Sequence, residues 1–524
     1  MTLGTPISSK TVNIPKTHMR HLRPLRGRFT HKRVNKLLQN IYNVDEYKDI
    51  KESGVDKRMM FGTNPHYQAL IMGEKLCDEE GNVLVPEMPP SKSIGALILP
   101  RLNEASNLEG SKDPSNQMKY TPKNNSLHGK LLHKYDEIVL GYTSPACSAH
   151  CRYCYRLDLF NKDTGKISVR PEELRDYILN YNAALEVNNG FDPNTGKKRY
   201  PIRELLLSGG DIMILPNSTL YRFAVAAGQS GVSILRFGTK EIAFRPERFD
   251  EAMAETFRIV HKEFPHMHFN IVSHFTHPDE FLLRDSENNY IPNENGPGYI
   301  WMEESLKAVR TMLSLDFLTI ENQTPLIRKV NDNAQVLRIL HEETRRIGIK
   351  TKYIFQGRDI EAHKAFSLPV EEAWALHNEA MKGLSDTMRS RFTMSTEWGK
   401  MEIISRIDPI KADSPELELL PPPFLMALQE ILGDGLVFFK SYRSPDTATS
   451  QGDMIIARGN PKALWISGYE DRILYDTRRN ESNKYAGLIA TLIGGLDARF
   501  ITMIGADTDQ RKEVMKHMRR KRAA

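Results

Sequence analysis

Cysteine is scarce in this chain: 524 residues carry four, and tryptophan is equally rare at four. So few cysteines exclude a disulfide-stapled secreted scaffold, in which dense cysteine pairs replace a core. No run of about 18 apolar residues occurs, which excludes a helix that spans a bilayer. The opening MTLGTPISSK lacks the apolar stretch of a secretory leader, and with the cysteine usage this points to a reducing cytoplasm. A strong charge of one sign is also missing, since 72 basic against 66 acidic residues leave +6. The excess gathers at the ends, in Arg20, Arg23, Arg26, Arg28, Lys32 and Arg33 and again in Lys516, Arg519, Arg520, Lys521 and Arg522. With no stacking-aromatic motif beside them, these read as solvated tails rather than a nucleic-acid surface.

Three of the four cysteines stand together. Cys147, Cys151 and Cys154 lie in CSAHCRYCYR, residues 147–156, at the spacing C-x3-C-x2-C. Such short separations suit metal ligation better than disulfides. Structural zinc wants four protein ligands, so a zinc site here needs a further donor such as His150. Three thiolates without a fourth suit an iron–sulfur cube with one iron left open. Cys77, alone elsewhere in the chain, reads as a small core residue. The spacing resembles that of the radical S-adenosylmethionine (SAM) enzymes, in which the open iron of a [4Fe-4S] cluster binds the amino and carboxylate groups of SAM.

From residue 136 onward short apolar runs alternate with helical patterns. EIVLGY, ELLLSG, SILRFG, HFNIVS, LTIENQ and KTKYIFQ are each followed by a stretch of helical periodicity, which predicts six strand–helix units and a parallel, helix-covered sheet. On right-handed crossovers such a sheet curls into part of a barrel, with working residues at the carboxyl ends of its strands. Those ends carry the cysteine loop, then Ser208-Gly209-Gly210-Asp211, Arg236 and Thr239, Ser273-His274, Asn322-Gln323, and Gln356 with Arg358. The expected organisation is a mainly helical N-terminal extension with a polar connector (1–130), a partial (βα)6 TIM-type barrel (131–400), and an α+β C-terminal extension (401–524) whose strand-like runs include GLVFF and DMIIA.

Five ordered segments resemble the lysine 2,3-aminomutase family of radical SAM enzymes, which also bind pyridoxal 5'-phosphate (PLP). HKYDEIVL resembles its first strand, CSAHCRYCYR its CxxxCRxCxR, LLLSGGD its LLSGGD, SHFTHPDE its THFNHPNE, and ENQTPLIRKVND its GNQSVLLRGVND. The resemblance implies a [4Fe-4S] cluster on Cys147, Cys151 and Cys154. It implies SAM contacts from Ser208, Gly209, Gly210, Asp211, Arg236, His274 and Gln323, and a grip on the substrate carboxylate by Arg156. Lys400 falls where the family has its PLP lysine, with Tyr353 and Phe355 as aromatic surface for the pyridine ring. Lysine-specific members place an aspartate after strand six and another before the PLP lysine; here Arg358 and Ser395 or Thr396 stand there. A cation in place of an anion repels lysine and suits a side-chain carboxylate.

The implied activity is a 2,3-aminomutase reaction on an amino acid other than L-lysine, of glutamate type. A reducing electron donor of flavodoxin or ferredoxin type and a homo-oligomer come with it. The cysteines of the family's structural zinc are absent, since no cysteine follows Cys154. Lysine 2,3-aminomutase proper, a PLP-independent radical SAM enzyme, and a non-catalytic metal- or RNA-binding protein are the alternatives.

Overall fold

A computed structural model describes residues 13–16, 25–26, 32–55, 61–106, 110–123, 126–156, 168–193, 195–361, 363–409, 433–446 and 452–479. The proline-rich corner at 420–424, the basic C-terminal residues, and Arg20, Arg23 and Arg28 lie outside the described residues. Two compact units are present: one comprises the chain to Leu368 with Ala375–Phe392, the other Pro369–Trp374 with the chain from Thr393.

The first unit is built on seven strands that neighbour one another in chain order. They are β1 (Leu131–Tyr135), β2 (Ile138–Ser144), β3 (Glu204–Gly209), β4 (Ile234–Gly238), β5 (His268–Ser273), β6 (Leu318–Pro325) and β7 (Lys350–Phe355). β1 is antiparallel to β2, and β2 to β7 are parallel. After β2 to β6 come the helices α1 (Pro171–Val187), α2 (Asn217–Gln229), α3 (Glu251–Glu263), α4 (Glu303–Leu313) and α5 (Ala334–Arg346). A sixth, α6 (Val370–Met381), follows β7 and straddles the two units. All six expected strand–helix pairs are present, and the chain is an α/β protein.

Local chemistry explains the helix starts. Pro171 opens α1, where its missing N–H is no loss. Asp250 caps α3 by accepting from Met253 N at 2.8 Å, and Asn333 caps α5 by accepting from Gln335 N and Val336 N. Strand alternation then sorts the side chains. Leu205, Leu207, Leu235, Phe237, Phe269, Ile271, Leu318 and Ile320 join the buried core under the helices. Within it Phe237, Phe257 and Phe269 pack with ring centroids 5.2 to 6.0 Å apart, each burial worth about 1.5–3 kcal/mol.

A second core forms where the N-terminal layer meets the carboxyl ends of the strands. Helix Pro65–Met72, capped by Asn64, and helix Lys92–Ile98, capped by Ser91, bury Tyr67, Leu70, Ile94 and Leu97 with Ala149, Phe244, Ile327 and Phe366. The segment expected to be a polar connector also docks here. Ser111 pairs with Ile360, donating from its N to Asp359 O at 2.9 Å and accepting from Glu361 N at 3.3 Å. Its polar composition hid this because the pairing uses only backbone groups.

The second unit contains antiparallel strands: β8 (Arg391–Thr396, whose first two residues belong to the first unit), β9 (Gly399–Ile407), β10 (Leu436–Arg443), β11 (Met454–Arg458) and β12 (Ile473–Asp476). Val370, Met401, Phe439, Trp465 and Tyr469 fill its core. Glu371 ties it together, accepting from Asn460 N at 2.6 Å, from Tyr469 Oη at 3.0 Å and from Arg406 Nε at 3.0 Å.

Candidate active site

β2 ends at Ser144 and the cysteine loop begins three residues later. The loop lies directly on the Gly209-Gly210 turn: Gly210 N donates to Ser144 O at 2.6 Å and Asp211 N to Ala146 O at 2.9 Å. A Cβ on Gly210 would stand 2.2 Å from Ala146 O, and one on Gly209, at φ +128°, 2.5 Å from Ser144 O. The two glycines are therefore required for close backbone approach to the cysteine loop itself.

The N-terminal layer holds the loop from its other side. His150 N donates to Gly62 O at 2.8 Å and Arg152 N to Leu97 O at 2.9 Å. The Arg152 side chain, 2% exposed, donates from Nε to both Glu104 carboxylate oxygens at 3.2 Å and from Nη2 to Oε2 at 2.5 Å. Asn64 Nδ2 donates to Ser148 Oγ, which donates to Glu241 Oε2 at 2.6 Å.

None of the three motif cysteines forms a disulfide, and Cys77, expected as a small core residue, is instead exposed on a short two-residue strand. Burial pushes the Cys147 thiol well up, with Asp211, Cys154 and Cys151 adding to it. Burial also lifts Cys151 to about 12, against the charge of Lys240, and raises Cys154. Three half-buried thiols whose charged forms are disfavoured are poor thiolates until a cationic group joins them, which suits an iron–sulfur cluster. Among the described residues no three His, Cys, Asp or Glu side chains converge on one point to hold a single metal ion.

Asp211 is saturated by protein donors. Its carboxylate accepts from Thr239 Oγ1 at 2.6 Å, Lys240 N at 2.7 Å, Met213 N at 3.0 Å and Glu241 N at 3.1 Å. Burial, with the Glu241 charge, nevertheless lifts it to about 7. His274 meets Tyr153 Oη through Nε2 at 3.1 Å, and burial together with Lys240 drives its pKa well below the usual imidazole range, keeping the ring neutral. Asn322, within β6, ties the segment after β5 to the start of β7, accepting from Phe275 N at 2.8 Å and donating to Phe275 O and Thr351 Oγ1.

Arg156 and Arg358 come together over one ring. The Arg156 guanidinium lies 4.7 Å from the Tyr155 centroid and 5.2 Å from that of Tyr142; Arg358 lies 4.0 Å from Tyr155. Arg156 Nη1 donates to Ser208 Oγ at 2.7 Å and Gly209 O at 2.8 Å, so Ser208 serves the arginine. Burial works against the Arg156 charge, but Tyr155, Tyr142 and the cysteines lift its pKa overall. Burial lowers that of Arg358, and the Arg156 charge lowers it further. Asp113, from the docked connector, also acts on Arg358 and Tyr142, and its Oδ1 is buried without a hydrogen bond.

Gln323 pairs in register with Tyr353, and Pro325 with Phe355. A β-bulge between Asn322/Thr351 and Gln323/Tyr353 shifts alternation by one, setting Tyr353 and Phe355 on the face of Gln323. Their rings are 5.4 Å apart. Arg236 lies mid-strand, opposite Leu206 and Asn270, and pairs with Glu204 at 3.4 Å and Glu321 at 3.9 Å. Lys400 and Ser395 belong to the second unit, facing each other across the β8–β9 hairpin. Gly399, at φ +114°, is needed there because a Cβ would meet Arg443 O at 2.0 Å.

Sequence reasoning missed Glu104, Asp113, Tyr155, Lys240 and Glu280. Lys240 lies two residues past β4, so the rule that found His274 could have found it; Glu104 and Asp113 carried no such signal.

No family model matches the chain. It is 27% identical over 423 residues to a protein of Aquifex aeolicus (strain VF5) provisionally named L-lysine 2,3-aminomutase, covering 80% of this chain and 90% of that protein. It is 23% identical over 342 residues to glutamate 2,3-aminomutase of Clostridioides difficile (strain 630), covering 65% of each. It is 25% identical over 228 residues to L-lysine 2,3-aminomutase of Clostridium subterminale, covering 43% of this chain and 44% of that enzyme. The chain thus spans less than two thirds of the length of the latter two.

Proposed function

The chain belongs to the lysine 2,3-aminomutase family of radical SAM enzymes, whose aminomutases are isomerases, and from that premise we propose that it moves an amino group from C2 to C3 of an amino acid with an anionic side chain, glutamate or a close analogue. The reading rests on one observation above others: two half-buried guanidiniums, Arg156 and Arg358, meet at Tyr155. Each guanidinium is shaped to hold a carboxylate bidentately. A substrate with two carboxylates supplies one to each.

In this reading Cys147, Cys151 and Cys154 hold a [4Fe-4S] cluster, the turn Ser208–Asp211 with His274 and Gln323 borders the SAM site, and Lys400 of the second unit carries PLP. When bound, the cluster and SAM supply the radical that opens a C–H bond, and PLP the π-system across which nitrogen migrates. The protein's own share is orientation and dryness. Arg156, fixed by Ser208 Oγ and Gly209 O, holds the α-carboxylate bidentately, which sets the β-carbon toward the radical source. Arg358 takes the side-chain carboxylate, and the rings of Tyr142 and Tyr155 keep water from both. The neutral His274 offers a hydrogen bond without adding charge. The electron comes from a flavodoxin- or ferredoxin-type donor, and the chain works as a homo-oligomer.

Anaerobically reconstituted protein with reductant, SAM and PLP is expected to convert glutamate to 3-aminopentanedioate, with lysine turned over far more slowly; faster formation of β-lysine sinks the substrate assignment. Reductant-dependent release of 5'-deoxyadenosine separates an enzyme from a metal-binding module. A PLP absorbance that survives dialysis and is lost in Lys400→Ala separates the aminomutase from a PLP-independent relative.

A further inference from the structure

Lys240, two residues past the end of β4, is a buried lysine whose three donor positions are all taken. It is 6% exposed, and Nζ donates to Glu280 Oε1 at 2.6 Å, His274 O at 2.7 Å and Thr276 Oγ1 at 2.9 Å. Glu280 is satisfied in turn, its Oε2 accepting from Thr276 N at 2.7 Å and its Oε1 from Tyr67 Oη. Neither residue enters the substrate reading above. A buried, satisfied ion pair is a weak source of stability compared with an apolar pair of the same volume, so packing alone is a poor account of it.

Its place suggests another role. The ammonium stands 5.4 Å from the Phe244 ring and 6.0 Å from that of Tyr67, and Cys151 and Tyr153 pack against the hydrophobic cluster to which those rings belong. Tyr153, inside the cysteine motif, reaches the same Thr276 hydroxyl at 3.4 Å. The Thr276 and Tyr153 hydroxyls therefore link a desolvated cation to a side chain of the loop that carries the three sulfurs. The pair is a dipole whose positive end binds the hydroxyl that Tyr153 of the cysteine loop also reaches.

We propose that Lys240 is a positioning and tuning residue that raises the reduction potential of the iron–sulfur group held by Cys147, Cys151 and Cys154. Accepting one electron adds a negative charge to that group, and a fixed cation in a low-dielectric surround stabilises the charge without having to reorganise. Glu280 orients the cation and tempers it.

This rests on the cysteine loop holding a cluster, and the test separates the two ideas. Iron per chain is measured first in the anaerobically reconstituted wild-type protein: no cluster there refutes the functional reading. The midpoint potential is then followed by EPR-monitored redox titration. Lys240→Met/Glu280→Met, which leaves no buried unpaired charge, is expected to hold as much iron as wild type and to titrate at a more negative potential. Glu280→Gln should move the potential the other way, and Lys240→Arg should keep it near wild type. A fully loaded double variant with unmoved potential overturns the proposal, and where that variant fails to fold, an unmoved potential in Glu280→Gln does so.

Discussion

Arg152 and Glu104, 48 residues apart in the chain, form a buried pair in which three N–H···O contacts tie the cysteine loop to the N-terminal layer. Removing one partner strands the other charge out of water, which costs about 3–5 kcal/mol. Glu104→Gln should therefore lower the urea midpoint and cut iron retained per chain. Arg152→Met/Glu104→Met should recover much of the stability, because no charge is left stranded. Equal losses in both variants would show that the pair has no such role.

The Gly210 contact makes a sharper test of loop geometry. A methyl 2.2 Å from Ala146 O forces the two backbones apart, so Gly210→Ala should cost more than about 1 kcal/mol and reduce iron loading. Gly196, an exposed glycine with nothing within 4 Å of a built Cβ, serves as control: Gly196→Ala should leave iron loading unchanged, although its positive φ adds mild strain. Full loading of Gly210→Ala would refute the close-approach account.

Charge reversal at Arg358 tests the substrate pocket. A hydrogen bond to a charged group is worth about 1.5–3 kcal/mol, so Arg358→Asp should lower kcat/KM for glutamate by roughly 10- to 150-fold. The same change should improve the ratio of lysine to glutamate turnover. An unchanged ratio would place the side-chain site elsewhere.

Two buried histidines away from the site give a pH signature. His341 Nδ1 meets Leu337 O at 2.6 Å, so Nε2 accepts from Ser390 Oγ at 2.8 Å, and Ser390 Oγ accepts from His377 Nε2 at 2.9 Å. Burial lowers His341 from 6.5 to about 4 and His377 to about 3. Below pH 6.5 the unfolded chain binds protons that the folded one refuses, so stability falls as the pH drops from 6.5 toward 4, by about 1.4 kcal/mol per histidine per pH unit. Urea midpoints at pH 7 and pH 5 should show this fall, and His377→Gln should flatten it. An equal slope in the variant would refute neutral burial.

Much of the architecture was legible beforehand because it is written in short-range pattern. Alternation in HFNIVS and helical spacing in the run after it are local consequences of strand and helix geometry, and all six strand–helix pairs follow. The β-bulge at Gln323/Tyr353 was not legible, since an extra residue in one strand shows only against its partner. Nor was the docking of Ser111 beside Ile360, which depends on backbone groups common to every residue.

By itself the sequence determined which chemistry is within reach: three thiols at ligating spacing, a Gly-Gly-Asp turn and the polar residues at strand ends, all set by order along the chain. Tertiary structure alone decided the partners. Glu104 reaches Arg152, Glu280 holds Lys240, and Tyr155 lies against both Arg156 and Arg358 because packing brings distant segments into contact and burial makes each charge find an opposite or a ring. That pairing depends on energies summed over the whole core, which no local window contains.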